Sequence, residues 1–598
     1  MFLFALISLL ALDRVHAALL YERNVNFLSP SQNHVGLGLD THKLYKRQIS
    51  APKLDPSQLN FTHGVASGDP APDSVILWTR ISPGLDNDRS NVTIEGFIPL
   101  YSHETEQYVE MSEAPICVDY RLGTDDEFST IVDSDRVYTT SEIDFTIKVE
   151  ARGLSPFTTY FYQFTVCDSE NRSPIGRTKT MPAADDDVAD VKLAVFSCAN
   201  WPYGYFNAYG NAARKDSVDY VVHLGDYIYE TSPGSDRIGW NIGRLHEPAK
   251  ELVSLYDYRR RLAQYREDSD LLLNHQRFPW IPVWDDHESW EEVGGVSVDQ
   301  RKMHAVRAYF EWMPIRQVDM DDNLRIWRSF SIGSLADLIM LDTRGYDRSI
   351  TDLDWNTEYI RLISDDAGRT MMGSHQENWF YNSLSASADR GATWRIIGSQ
   401  VIFSRMNRSS LAPDPENPFN RDAWDGYQGN RNRTFAHLYD NGISNNIFLA
   451  GDSHANWVSD LVWLDEKIYD PVTGDGAVGV EFALTAVSSV SRAGQNVSIE
   501  AALAFSDDIV AANEELHWNE LWYRGYLELS LSAERAEARF FGVPDVKRQS
   551  GAEVSLANFT VLAGENKLQR PVAGGVVEAG TLKGGETTTT NRTVDTGA

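Results

Sequence analysis

The chain reads as an α/β domain standing behind a small all-β sandwich, and two hydrophobic patterns with a hinge between them point there. From about residue 55 to 183 short alternating runs recur between turn signals, SVILWTRIS, VYTTSEIDFTIKVEA and FTTYFYQFTV, the spacing of a compact antiparallel sandwich. From about 190 to 545 the runs KLAVF, DYVVHL, WIPVW, ADLIMLD, WRIIG and NNIFLA are apolar almost throughout and alternate with helical segments. Strands buried on both faces look like this, and their alternation with helices predicts an α/β sheet. The acidic stretch Ala183-Ala184-Asp185-Asp186-Asp187 between the two patterns reads as a linker.

Taken in order, the chain opens on an apolar run from Phe2 to Leu12 followed by Val15-His16-Ala17. Small residues at the two positions a signal peptidase reads make residues 1–17 a secretory signal, too short to span a bilayer. Residues 18–47 are polar and end at Lys46-Arg47, which is either the end of a pro-segment cut by a kexin-type protease or an ordinary basic pair in a loop. In the all-β region, LSPFTTYFYQF resembles the corner and penultimate strand of fibronectin type III domains, with Tyr160 and Tyr162 as packing residues. Cys117 and Cys167 both fall there and can bridge if the fold brings them within bonding distance. In the α/β region the helix Arg301–Trp312 carries Met303, Val306 and Phe310, an apolar stripe at helical spacing that reads as core. Residues 546–598 are rich in Gly and Thr, as in GGETTTTNRT, and read as a disordered tail.

Composition narrows the function. A formal net charge of −32 opposes nucleic acid and anionic membranes, while a small phosphate ester still binds if local cations reverse the field. Eight sequons, at Asn60, Asn91, Asn171, Asn407, Asn432, Asn496, Asn558 and Asn591, agree with secretion as a glycoprotein. No later apolar run spans a membrane and no lipid-anchor signal closes the chain, so a soluble extracellular protein, expected as a monomer, is the reading. Outside the cell an odd third cysteine, Cys198, needs an explanation.

Ligands of open α/β sheets bind beyond the carboxyl ends of the strands. Four predicted strands end there in polar groups: KLAVF in Ser197-Cys198-Ala199-Asn200, DYVVHL in Gly225-Asp226 with Tyr229 close behind, WIPVW in Asp285-Asp286-His287-Glu288, and NNIFLA in Gly451-Asp452-Ser453-His454. Any one has a structural explanation as a cap, a turn or a packing residue. Together they assemble carboxylate, imidazole, thiolate and phenolate, which are metal ligands and which as bare acids would oppose one another's ionisation.

Several segments in a fixed order are similar to PhoD-like alkaline phosphatases, a branch of the calcineurin-like metallophosphoesterases. FTHGVASGDPAPDSVILWTR (61–80) resembles the start of that family's N-terminal domain. HLGDYIYE, VWDDHE, AVRAYFEWMPIR, LDTRGYD, DAWDGY and GDSHANW resemble its catalytic signatures. The resemblance implies a four-layer metallophosphoesterase sandwich and, for a chain with these leader signals, a secreted enzyme of fungal origin. It implies Fe³⁺ held by Cys198, Asp226, Tyr229 and Asp452, with Asp226 also bridging to neighbouring metal. It further implies Ca²⁺, two ions, with Asp286 as a ligand and His454 completing the far side. His287, facing the substrate as acid or phosphate contact, and Asp226 are then the catalytic residues; Asn200, Glu288 and Arg344 are weaker candidates for calcium or substrate contact. Few histidines and many oxygen donors suit hard cations. The implied reaction is metal-assisted hydrolysis of small phosphate monoesters with release of phosphate. A phosphodiesterase or phospholipase-type activity at the same metals, and a non-catalytic cell-surface protein, are the alternatives.

Overall fold

A computed structural model describes residues 23–27, 55–83, 115–140, 143–232, 239–288, 298–317, 325–411, 417–494, 497–572 and 587–592. The predicted signal, Lys46-Arg47 and the sequons at Asn91 and Asn496 lie outside the described residues.

The N-terminal region is a sandwich, but not one closed on itself. One layer is a four-stranded antiparallel sheet made of Ile116–Gly123, Ile131–Thr139, Thr159–Val166 and Gly176–Lys179. The facing layer is β1 (Val65–Gly68), β2 (Ser74–Arg80) and β3 (Thr146–Arg152). Leu77, Val118, Leu122, Ile147, Val149, Tyr162 and Phe164 pack between the layers. Ser155 N donates to Tyr160 Oη at 2.8 Å, fixing the corner before the penultimate strand. Cys117 and Cys167 are joined as a disulfide.

The α/β region continues that second layer instead of starting anew. β4 (Asp190–Phe196), β5 (Tyr220–His223) and β6 (Pro279–Pro282) run parallel. β6 then pairs in parallel with β1, Pro279 opposite Ser67, so the all-β region and the α/β region share a ten-stranded sheet. The linker is pinned as well: Ser334 N donates to Asp186 O at 2.9 Å.

A second, seven-stranded sheet contains β7 (Ala336–Met340), β8 (Trp394–Ser399), β9 (Asn446–Ala450) and β10 (Gly479–Ala483), all parallel. Successive side chains of a strand face opposite ways. Accordingly Leu338, Ile396 and Ile447 join the core between the sheets, while Ile339, Ile397 and Phe448 pack outward with Phe380, Leu384, Phe435 and Leu438 of the helices Gly373–Asp389 and Gln428–Asp440. On the first sheet, the helices Asn207–Lys215, Leu255–Tyr265, Ser269–Arg277 and Val298–Trp312 place Tyr209, Leu262, Leu271 and Val306 in the core. The result is four layers: helices, sheet, sheet, helices.

The C-terminal end of the chain departs from the sequence reading. β11 (Arg524–Ser532), β12 (Arg535–Val543) and β13 (Ala552–Leu562) extend the first sheet in an antiparallel meander. Thr587–Thr589, part of the predicted disordered tail, pairs with the start of β13, and Arg592 forms an ion pair with the buried Asp270 at 2.7 Å. The register slips between Phe540 and Phe541, so Leu556 is an inserted residue; the apolar alternation Val554, Leu556 changes phase to Ala557, Phe559, Val561, which hides the strand from a period-two search. Within the predicted pro-segment, Asn24 and Asn26 are buried. Asn24 Nδ2 donates to Thr146 O at 3.0 Å and Asn26 Nδ2 to Thr146 Oγ1 at 2.9 Å, so this part of it is packed into the fold.

Candidate metal centre and active site

The loops after β4, β5, β6, β7 and β9 meet where the carboxyl ends of the two sheets face each other. Cys198, Asp226, Asp452 and His454 all adopt left-handed backbone conformations, with φ of 62°, 55°, 59° and 56°. Non-glycine residues pay for that geometry, and it clusters at functional sites. The sharp turn after β5 also needs Gly225, at φ 107°; a Cβ there would lie 2.4 Å from Asp285 Cβ.

Three donor groups lie close enough together to hold a cation: Cys198, Asp226 and His454; Asp226, Asp286 and His287; and Asp285, Asp286 and Asp452, with ligand atoms within 4.8 Å in each. Tyr229 joins the first. Its hydroxyl lies 2.8 Å from Asp226 Oδ2 and 3.0 Å from His454 Nε2, and Ser489 Oγ donates to it at 2.8 Å. His454 Nδ1 is 2.7 Å from Val490 O. A carbonyl only accepts, so the proton sits on Nδ1 and Nε2 presents its lone pair, the second-sphere arrangement of a metal-binding histidine. Burial pushes the His454 pKa down to about 3, keeping the ring neutral. One phenolic proton therefore serves two acceptors, Asp226 and His454.

Electrostatics add to this mismatch. Burial, then the nearby carboxylates Asp226 and Asp285, raise the Cys198 thiol far above its usual range. Burial raises Asp226 to about 7, with Asp286 and Asp452 adding to the effect against the pull of His287. Asp286 Oδ1 is buried with no hydrogen-bond partner. Soft thiolate, phenolate, neutral imidazole and clustered carboxylates fit a cation that replaces the shared proton and neutralises the cluster.

His287 stands beside this centre. Its ring packs at a tilt against Tyr229 with centroids 4.1 Å apart, and Nδ1 lies 2.9 Å from Glu230 Oε2. Burial disfavours its charged form, yet Glu230, Asp226 and Asp286 outweigh that and hold its pKa well above the usual histidine range.

The weaker candidates resolve differently. Glu288 is no free ligand: its carboxylate accepts from the backbone N–H groups of Asp226 (3.2 Å), Tyr227 (2.6 Å) and Asp285 (2.8 Å), clamping the turns after β5 and β6 together. Arg344 does not reach out as a phosphate clamp. Its buried guanidinium is bonded to Asp285, Asp422 and Asp452, as a counter-ion inside the carboxylate cluster. Asn200 is buried, its carbonyl accepting from Ser488 Oγ at 2.8 Å, and its Oδ1 has no hydrogen-bond partner. Residues overlooked as participants are Asp285, Glu230, Ser489 and Asp422. Asp285 follows β6 as directly as the other ligands follow their strands, and that position was its signal; Ser489 comes from a loop with no motif of its own.

Among the sequons, Asn60, Asn558 and Asn591 are exposed, whereas Asn407 and Asn432 are partly buried. Asn171 Nδ2 donates to Pro56 O and Leu59 O, both at 3.0 Å, so a glycan on that nitrogen would disturb both bonds.

Paired sheets, flanking helices and a carboxylate-rich centre at their carboxyl ends define a metallophosphoesterase-like fold, and comparison bears this out. Residues 193–540 match the PhoD-like phosphatase family and residues 47–182 the N-terminal domain of PhoD-like phosphatases. The chain is 31% identical over 544 residues to alkaline phosphatase D of Bacillus subtilis, covering 88% of this chain and 84% of that one. A solved structure described as PhoD superposes with a TM-score of 0.71 at 31% identity, covering 88% of this chain and 96% of that one. The purple acid phosphatase PPD1 of yellow lupin shares the fold at a TM-score of 0.50 and 10% identity, covering 83% of this chain and 73% of that one. The chain belongs to the PhoD-like phosphatase family and is a phosphatase.

Proposed function

We propose that the protein is a secreted, metal-dependent alkaline phosphatase that hydrolyses small phosphate monoesters. One observation carries the metal assignment: Cys198, Asp226, Tyr229 and His454 converge on one buried point, where without a cation burial and like charges oppose the ionised thiolate, carboxylate and phenolate. Cys198, Asp226 and Tyr229 suit Fe³⁺ with His454 beside them, and Asp285, Asp286 and Asp452 suit Ca²⁺, two such ions in all. When bound, such ions supply Lewis acidity toward phosphoryl oxygens and toward water.

The chain's own residues do the rest. Glu230 fixes Nδ1 of His287 and favours the imidazolium, leaving Nε2–H free for the ester. His287 donates that proton to the departing alkoxide. Glu288 keeps the two ligand turns in register, and Arg344 holds the carboxylates apart from one another's charge. The leader run and the disulfide support an extracellular location.

The test is to purify the protein, measure bound metal, record its visible spectrum, and assay a phosphomonoester and a phosphodiester with and without a calcium chelator. Thiolate and phenolate on Fe³⁺ give charge-transfer colour that Cys198→Ala shifts. A colourless, iron-free protein whose turnover ignores both the chelator and Asp226→Ala refutes the site, and a diester preference refutes the monoesterase assignment.

A further inference from the structure

Cations held by the four aspartates would neutralise the centre itself, but a chain charge of −32 still opposes an anionic substrate on its approach. The cation nearest to hand, Arg344, is spent on Asp285, Asp422 and Asp452. Its neighbours are also committed, Arg348 to Asp422 at 2.7 Å and Arg431 to Asp425 at 2.7 Å. Two arginines beside the site differ. Arg408 Nε is buried without a hydrogen-bond partner, and among the described residues neither Arg408 nor Arg492 has a carboxylate within ion-pair distance.

Both stand on loops tied to the centre. Arg408 follows Met406, whose N–H donates to Asp425 at 3.2 Å, and Asn407, whose N–H donates to Asn513 Oδ1 at 2.8 Å; its own N–H donates to Pro418 O at 3.0 Å. Arg492 follows Ser489, which bonds Tyr229 Oη, and Val490, whose carbonyl holds His454. The two guanidinium groups are close enough to repel each other, and both act on Asp452. Asp452 is already bonded to Arg344, and Asp425, which also faces Arg408, to Arg431. Two like charges, one of them largely desolvated, are unfavourable unless an anion lies between them.

We propose that Arg408 and Arg492 form an oxyanion-binding lip on the Asp452 side of the centre that receives phosphoryl oxygens of the ester. This rests on the phosphatase reading and names its substrate-binding residues. Guanidinium forks match phosphoryl oxygens geometrically, and the lip supplies the local positive field that the rest of the surface denies.

The probe is inorganic phosphate, its binding measured by calorimetry on the metal-loaded protein, together with KM and kcat for a phosphomonoester. Arg408→Gln combined with Arg492→Gln is expected to weaken phosphate binding and raise KM by roughly tenfold or more per arginine, with kcat changed less. The matching lysine pair should recover part of the loss. Arg492→Gln alone, at an exposed position, tests the lip without risk to the fold. Phosphate affinity and KM within twofold of the parent in the double glutamine variant, or a parent that binds no phosphate, overturns the lip. A parent that hydrolyses no ester, yet binds phosphate tenfold better than the variant, overturns the phosphatase reading and leaves the lip standing.

Discussion

Lys148 offers a test of the packing that joins the two regions of the chain. It lies on β3, is 3% exposed, and its ammonium group donates to the Phe310 carbonyl. Burial drives its pKa down from 10.5 to about 7, against the pull of Asp69 and Glu311. The sign follows directly. Above pH 10.5 the amine is neutral folded and unfolded, so nothing is lost; as pH falls toward 7 only the unfolded chain takes up the proton, and the folded state loses stability. A drop from 10.5 to about 7 corresponds to up to about 5 kcal/mol at neutral pH. Lys148→Met keeps the apolar stem and removes the titration, at a loss of about 1–3 kcal/mol for the Phe310 carbonyl left without its donor. The variant is therefore expected to be more stable than the parent by a few kcal/mol at pH 7 and slightly less stable at pH 10.5. Denaturant midpoints followed by tryptophan fluorescence at pH 7, 8, 9 and 10.5 would show the crossing. A difference between parent and variant that is the same at every pH would refute the reasoning.

Other expectations follow from equally specific contacts. Glu288→Gln replaces a three-fold acceptor with a group that must turn N–H toward N–H; about 2–4 kcal/mol of local stability should go, read as weakened metal retention at an unchanged secondary-structure content. Replacing Cys117 and Cys167 by serine opens a link across 50 positions of chain, and the denaturant midpoint should fall by the equivalent of about 4 kcal/mol; no loss of midpoint would mean that the bond does not form in the purified protein. A chain starting at residue 190 exposes the edge of β6 where β1 pairs, together with the apolar surface that Trp78 and Ala66 cover in the full chain, and it should aggregate; a soluble, monomeric product would contradict the shared sheet.

The parallel strands of both sheets were legible because a strand buried on two faces has no polar residue to interrupt it, as in KLAVF and NNIFLA. The candidate ligands were legible because each follows such a run within a few residues. What stayed hidden depends on partners distant in sequence. Arg344 is separated from Asp452 by 108 positions, and nothing local tells that its guanidinium is consumed by carboxylates. The pairing of β6 with β1 joins Trp280 to Gly68 and makes one sheet of what periodicity alone divides into two domains. At the far end, the bulge at Leu556 broke the only local signal β13 had.

The order of strands in the shared sheet also bears on how the chain can fold. β4, which carries Cys198 at its end, lies between β5 and β11; its second neighbour is made only when residues 524–532 have been synthesised. On the other side β1 must wait for residues 279–282 before it finds β6. Few contacts of the central sheet are local, so its assembly is expected to be slow and to run late in synthesis, with open strand edges in need of protection until then. The loops of Cys198 and Asp452 belong to different sheets and face each other only once both have closed. An ion taken up between them would thus enter a scaffold already built, and its supply would matter at the last step of maturation, not the first.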